Sequence, residues 1–340
     1  MSLRFLLFLQ FLITIPKDKM NRIITYILLI IIIGLLIFGF DKLLSDKKVQ
    51  LPGTNEQYYK IVSLPIPETL SFAGEEMPLD IFYVKEGLDR ELSVNTYWHS
   101  ATLQIIKKSQ RWFPLFDSIL AANNVPVDFK YLAVIESGLS NVTSPAGAVG
   151  YWQFLKGTAK DYNLEVNKEV DERYHVEKAT EAACKYFLKS YEKFGNWTLV
   201  AAAYNAGNNG ITTQIERQKS GSYYDLLLSD ETTRYIYRIA AMKIIFENPE
   251  VYGFYIDGDD IYPNISTHTV IVNNSIDDWA DFAKQNGISY KILKYFNPWL
   301  RQDYLKNRKK KTYIITIPNS PFNMTHESII LENNGITTIN

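Results

Sequence analysis

A mainly α fold is what this sequence predicts: a transmembrane helix, a helical domain after it, and a small βααβ domain at the end. Three observations lead there. Ile23 to Phe40 is an uncharged apolar stretch of 18 residues; from about residue 79 to 247 apolar residues recur at helical spacing; and after Pro249 strand-like alternation flanks two short helical patterns. With 340 residues, 46% hydrophobic and 14% aromatic, the chain can bury one sizeable domain and a smaller one.

The elements follow in order. As a helix rising about 1.5 Å per residue, 23–40 reaches about 27 Å, close to the hydrocarbon core of a bilayer. Lys17, Lys19 and Arg22 before it favour a cytoplasmic N-terminus, while Lys42, Lys47 and Lys48 after it dilute that asymmetry. No small-residue cleavage site follows Phe40 and the segment holds no cysteine for a lipid, so an uncleaved anchor is expected within 1–42. The alternative, a buried helix of a soluble core, fits poorly with a stretch that has no polar face. Met20 offers a second possible start. Residues 43–78, polar and marked by Pro52, Gly53, Pro65 and Pro67, read as a linker.

Helical periodicity over Leu79 to Asn124 places Leu103, Ile106, Trp112, Phe116, Ile119 and Leu120 in a core. Asp128 then reads as the N-cap of a short helix, Phe129 to Ser137, that Gly138 stops. Its last turn holds Glu136. Beside an apolar helix wall the charged carboxylate is disfavoured, so its pKa is expected to rise, which is what a proton donor to a glycosidic oxygen needs. A solvated glutamate at a helix end is the plainer reading of Glu136 taken alone.

Ser144-Pro145 opens a turn that runs into Gly147-Ala148-Val149-Gly150, where two glycines permit tight turns and close approach to a ligand. Trp152 offers a flat face to a pyranose ring and Gln153 an amide to its hydroxyls. Against this, such a loop is also an ordinary turn and the tryptophan an ordinary core residue. Val176 to Phe194 reads as a helix with Cys184, the single cysteine, in its core face, so no intrachain disulfide is available. A second, small and apolar run from Trp197 to Ala203 ends in Tyr204 and Asn205, which either cap the turn at Gly207 or face a polar cleft. Asp230 to Glu247 supplies the last long helix.

A net charge of −1 argues against bulk nucleic-acid binding. His99, His175, His268 and His326 lie without ligand spacing, and no metal or organic cofactor is expected.

Taken in sequence, Glu136-Ser137-Gly138, the Gly147 to Phe154 loop, Val170-Asp171-Glu172-Arg173, Ala203-Tyr204-Asn205-Ala206-Gly207 and Glu231 to Ile236 resemble the lysozyme-like lytic transglycosylases, most of all their membrane-bound lytic transglycosylase D branch. The resemblance covers about 85 to 255 and implies a lysozyme-like domain over 79–255 that holds peptidoglycan. It implies cleavage of the β-1,4 bond between N-acetylmuramic acid and N-acetylglucosamine with a 1,6-anhydromuramyl product, Glu136 being the acid and then the base. It also implies that Ser137, Gly150, Trp152, Gln153, Tyr204, Asn205 and Tyr235 orient the glutamate or hold the sugar. Two departures stand out: Trp152 replaces the methionine common in soluble relatives, and Leu155-Lys156 replaces the usual Met-Pro.

The residues alone agree with one acid serving twice. No Asp or Glu lies between Glu136 and Asp161, although Asp171, Glu172 or Glu231 remain able to reach the site in three dimensions. Arg173 and Arg234 among those acids read as structural ties. Two alternatives stay open: hydrolysis in the same groove, as in goose-type lysozymes, and a peptidoglycan-binding scaffold with an inert Glu136. The expected setting is the cell envelope, membrane-anchored with the catalytic domain facing the periplasm.

Past the catalytic block, Thr267 to Val272 and Thr312 to Ile317 read as strands around helices at Ser275 to Gln285 and Tyr290 to Phe296. That order over 264–320 resembles a LysM module, which implies sugar binding; Asn297-Pro298-Trp299-Leu300 stands at its central turn, and packing alone is the other reading. Lys306 to Lys311 reads as a solvated basic turn, and 321–340 as a tail.

Overall fold

A computed structural model of the chain describes residues 61–320, and within them several helices begin or end on identifiable chemistry. The expected anchor at 23–40, the first half of the expected linker and the 321–340 tail lie outside the described residues; the second half of that linker is not a free tether, because Leu70, Phe72 and Met77 are buried in the helical core. Among the described residues no helix is long and apolar enough to cross a membrane.

A minimal hairpin opens the structure, β1 (Ser71–Phe72) pairing antiparallel with β2 (Glu75–Glu76). The expected helical stretch is two helices, α1 (Phe82–Tyr97) and α2 (His99–Ala122), broken at Trp98. Ile106, Phe116 and Leu120 are buried, and Leu103, Trp112 and Ile119 pack against the same core while partly exposed. Then come α3 (Lys130–Ser137), α4 (Lys156–Asp161), α5 (Val176–Phe194), α6 (Trp197–Ala206), α7 (Asn208–Gln218) and α8 (Asp230–Glu247). Helix α8 is the axis, packed against α1, α3 and α6, while α5 packs on α2 and α6.

Caps explain the ends. Ser229 accepts from the Thr232 amide to start α8, and Asp230 and Glu231 in its first turn suit the positive end of the helix dipole. Helix α6 starts under two side chains: Asn196 accepts from the Leu199 amide at 2.8 Å, and the Glu75 carboxylate from β2 accepts from the amides of Trp197 at 2.6 Å and Thr198 at 2.8 Å. Helix α5 stops at Gly195 in the left-handed region. Cys184 lies fully buried in α5, and burial pushes its thiol up to about 12.

Two helix starts differ from the sequence reading for a tertiary reason, and the closing strand is shifted by one residue at each end. Asp128 is not an N-cap: Val127–Phe129 form a single 3-10 turn, and Asp128 Oδ2 accepts instead from the Ala73 amide at 2.8 Å and the Lys243 ammonium at 2.7 Å. A tertiary ion pair has displaced the local cap. In the C-terminal part, α9 (Trp279–Gln285) starts later than expected, behind Asp278, because Ser275 and Ile276 are held by Asn307 and Leu305 in extended form.

That part is a β3 (Thr267–Val272), α9, α10 (Tyr290–Phe296), β4 (Tyr313–Pro318) unit, with β3 and β4 antiparallel and Thr267 opposite Pro318, Val272 opposite Tyr313. Tyr313, Ile315 and Ile317 point inward onto Trp279 and Leu293. Asn297 is fully buried and spends its amide on β4, accepting from the Thr316 amide at 2.8 Å and donating to the Thr316 carbonyl at 2.7 Å.

The helical body and this unit belong to one compact region of the chain. Val170, from the loop before α5, sits in the core of the C-terminal unit and bridges Leu300. The Asp171 amide donates to the Trp299 carbonyl at 2.9 Å, the Arg301 amide donates to the Glu169 carbonyl at 2.7 Å, and His175 stacks on Trp299 at 5.5 Å.

Candidate active site

Helix α3 is short because its buried face, Tyr131 to Val134, is followed by Gly138 at φ 57° and ψ 37°, a left-handed cap whose amide closes on the Val134 carbonyl. The turn leaves Glu136 partly buried at the helix end. From α8, the fully buried Tyr235 donates its hydroxyl to Glu136 Oε1 at 2.5 Å.

The electrostatics of Glu136 pull two ways. Burial holds its carboxyl above the ordinary carboxylate range, and the nearby Glu231 charge adds to that; the Tyr235 hydrogen bond and the Arg238 charge act in the opposite sense. Arg238 does not pair with the carboxylate; its Nη2 donates to the Ile135 carbonyl at 2.9 Å, tying α8 to the last turn of α3. Both buried phenols of the site, Tyr204 and Tyr235, are held well above the usual range, first by burial and next by the Glu136 charge, so they stay neutral donors.

The glycine loop is built against this pair. Tyr204 donates to the Trp152 carbonyl at 2.6 Å, fastening the loop to α6. Gly150 has φ 84°, and a Cβ there would sit 2.0 Å from the Arg173 carbonyl oxygen. Gln153, itself at φ 50°, turns its amide nitrogen back to the carbonyls of Gly150 at 2.8 Å and Val142 at 3.1 Å. The Arg173 guanidinium donates to the carbonyls of Gly147 at 3.0 Å and Phe154 at 3.1 Å while Asp171 grips it from behind, 2.9 Å at Nε and 2.7 Å at Nη2. Asp171 and Arg173 thus form a clamp across the two ends of the loop.

The remaining expected residues divide. Asn205 does not cap α6; its Oδ1 accepts from the Thr232 hydroxyl at 2.8 Å and its Nδ2 donates to Glu231 at 3.0 Å, pinning the start of α8. Ser137 donates its hydroxyl to the Ala133 carbonyl at 2.9 Å, inside its own helix. Trp152 is a correction. It is fully buried, its Nε1 donates to Thr180 at 2.8 Å, and its ring packs between Phe116 and Phe187, so it has no face open to a sugar. Of the three acids left open as a second carboxylate, Asp171 is taken by Arg173, Glu172 by Lys178 and the Glu165 amide, and only Glu231 lies near enough to influence Glu136. Among the described residues no group of three His, Cys, Asp or Glu side chains could hold a metal ion.

Sequence reasoning passed over Arg238 and Lys108. Arg238 follows Tyr235 by three residues, the spacing that puts two side chains on one helix face, and that was the available signal. Lys108 reaches from α2 to the Gly138 carbonyl at 3.3 Å and Ser140 Oγ at 2.7 Å, a contact with no local signature.

Residues 116–227, which hold Glu136, the glycine loop, Tyr204 and Asn205, match the family described as Transglycosylase SLT domain. The chain carries a transglycosylase SLT domain. Residues 268–321 match the Soluble lytic transglycosylase C-terminal LysM-like domain, so the unit behind the SLT domain is LysM-like. Membrane-bound lytic murein transglycosylase D of Escherichia coli K12 is 28% identical over 242 residues, which is 68% of this chain and 52% of that protein. The protein of the same name from Escherichia coli O6:H1 gives the same figures. The chain spans about half the length of the curated relatives it matches. Tyr235 lies just past the matched part of the SLT domain, on α8, and reaches back to Glu136.

Proposed function

We propose that this chain is a peptidoglycan lytic transglycosylase that cleaves the β-1,4 bond between N-acetylmuramic acid and N-acetylglucosamine, with Glu136 as acid and then base. The observation that carries this is the Glu136 and Tyr235 pair: a carboxyl pushed by burial toward its neutral form, with a buried phenol donating to one of its oxygens. Since Tyr235 occupies Oε1, the proton of the neutral acid sits on Oε2, free to pass to the glycosidic oxygen as the C1–O bond breaks. The 2-acetamido carbonyl oxygen of the same sugar closes on C1. The carboxylate so formed, steadied by the Tyr235 hydroxyl, takes the proton of the C6 hydroxyl; O6 then attacks C1 and releases the acetamido group, giving a 1,6-anhydro ring without water. The SLT and LysM-like matches and the relatives' name support the substrate class.

Glu231 favours the second reading, hydrolysis, because a second carboxylate near the acid is what a hydrolase uses. The product decides. Full-length protein in detergent, incubated with purified peptidoglycan, is expected to release fragments lighter by one water than reducing muropeptides; ordinary reducing ends would mean hydrolysis, and bound but intact glycan a scaffold. Glu136→Gln is expected to lower the rate by about 10²- to 10⁴-fold while leaving binding in place. The apolar stretch 23–40 is proposed as the anchor that keeps this activity at the cell envelope with the SLT domain on the periplasmic side; the relatives' membrane-bound name supports it.

A further inference from the structure

A cavity of about 880 Å³ lies between the SLT domain and the LysM-like unit, walled by α2 and the loop after Glu136 on one side and by α10 and the Pro298-Trp299 turn on the other. Its walls are fixed in place. The Val170 to Leu300 bridge and the stacking of His175 on Trp299 hold one side, and Tyr262 pins the connecting strand to α2 through its amide to the Lys107 carbonyl at 3.1 Å.

The charges in this cavity are unbalanced. Lys108 and Arg111 stand one turn apart on α2, and among the described residues neither meets a carboxylate. Lys108 binds only the Gly138 carbonyl and Ser140 Oγ; Arg111 donates to the Pro263 carbonyl at 3.0 Å and the Tyr295 hydroxyl at 2.8 Å. Lys294 on the opposite wall is tied to two carbonyls at 2.5 Å and keeps its charge at neutral pH, with its pKa lowered to about 8 by burial. The single acid on the walls, Glu177, is pushed by burial toward its neutral form, and His175 is held uncharged, its pKa lowered to about 4. Burial also lowers Lys108, which marks a cation already stripped of part of its water. Such a charge gains from an arriving carboxylate more than an exposed one does. The same walls carry Trp112, Tyr151 and Tyr295, faces and hydroxyls for an apolar, hydrogen-bonding chain.

We infer that this cavity receives the carboxylate-bearing peptide arm of the glycan strand, with Lys108 and Arg111 as its anion-binding residues. The inference rests on the proposed function for the identity of the strand. Leu139, Ser140 and Asn141, in the cavity wall, continue directly from the Glu136 helix, so one short stretch of chain joins the cavity to the acid.

The test is direct binding of the free stem peptide, bearing its carboxylates, to the full-length protein, compared with the same peptide with its carboxylates amidated. The acid form is expected to bind at least about tenfold more tightly, from one or more charge-assisted hydrogen bonds. Lys108→Met is expected to remove that preference and Lys108→Arg to keep it; Ser118→Trp, at an exposed position of α2 on the rim, is expected to block both peptides. Equal affinity for the acid and amide forms, or an acid preference undiminished in Lys108→Met, overturns the inference. If Lys108→Met does not fold, the two peptides on the unaltered protein still decide. Failure of the proposed function would show separately, as no anhydro product from glycan freed of its peptides.

Discussion

In the proposed function Glu136 gives a proton and then takes one, and its surroundings act in both senses: burial favours the neutral form, while Tyr235 and Arg238 favour the charged one. Removing Tyr235's hydroxyl takes away support for the charged form alone. Tyr235→Phe is therefore expected to slow cleavage about tenfold and to move the basic limb of the pH-rate profile to higher pH, because Glu136 then holds its proton longer. Stability gives an independent reading. A carboxyl whose folded pKa lies above its unfolded value, about 4.3, contributes fully below that value, and the contribution is lost as pH rises through the folded pKa. Glu136→Gln is thus expected to melt above the parent at pH 7, with the gap closing in mild acid, as thermal unfolding at the two pH values will show. The place of Glu136 at a partly buried helix end was legible in the sequence because an apolar helix ending in an acid and a glycine is a local pattern. Trp152 was not, since an indole after a turn serves a core as readily as a sugar, and the Thr180 hydroxyl that takes its N–H is 28 residues away.

Among the elements, several periodic ones were readable to their ends. Val176–Phe194, Asp230–Glu247, Thr267–Val272 and Tyr290–Phe296 are as the hydrophobic pattern gives them. Boundaries set by distant partners were hidden: Asp128 answers to Lys243, 115 positions later, and no window of neighbouring residues contains that fact. The glycine loop lies between these cases. Its glycines announced a tight turn, but the reason for Gly150 is the Arg173 carbonyl against its Cα. Gly150→Ala combines that clash with a left-handed backbone and is expected to cost about 3 kcal/mol, read as a lower denaturation midpoint. The Asp171 and Arg173 clamp makes the loop a preset part of the site, held by charge-assisted bonds to both its ends.

In the whole molecule, the feature with the widest reach is that the two parts share a core. A catalytic domain with a wall-binding unit on a free linker would unfold in two steps. Here Val170 of the helical body is buried inside the LysM-like unit, and the backbone of 169–171 bonds to Trp299 and Arg301. Full-length protein is expected to show one unfolding transition by calorimetry, and Val170→Ala to destabilise it as a whole by about 2 kcal/mol. The order of the two domains was readable from composition and period; their joint packing was not, because one valine before a helix carries no mark of the partner that covers it.

The lone cysteine gains a meaning from the same packing. Cys184 lies at the centre of α5 with a thiol pushed up to about 12, so almost none of it is thiolate at neutral pH and no reagent reaches it from outside. In an oxidising compartment such a sulfur neither links two molecules nor climbs the oxidation ladder while the fold is closed, and its chemistry becomes a clock that runs only when the helical body opens.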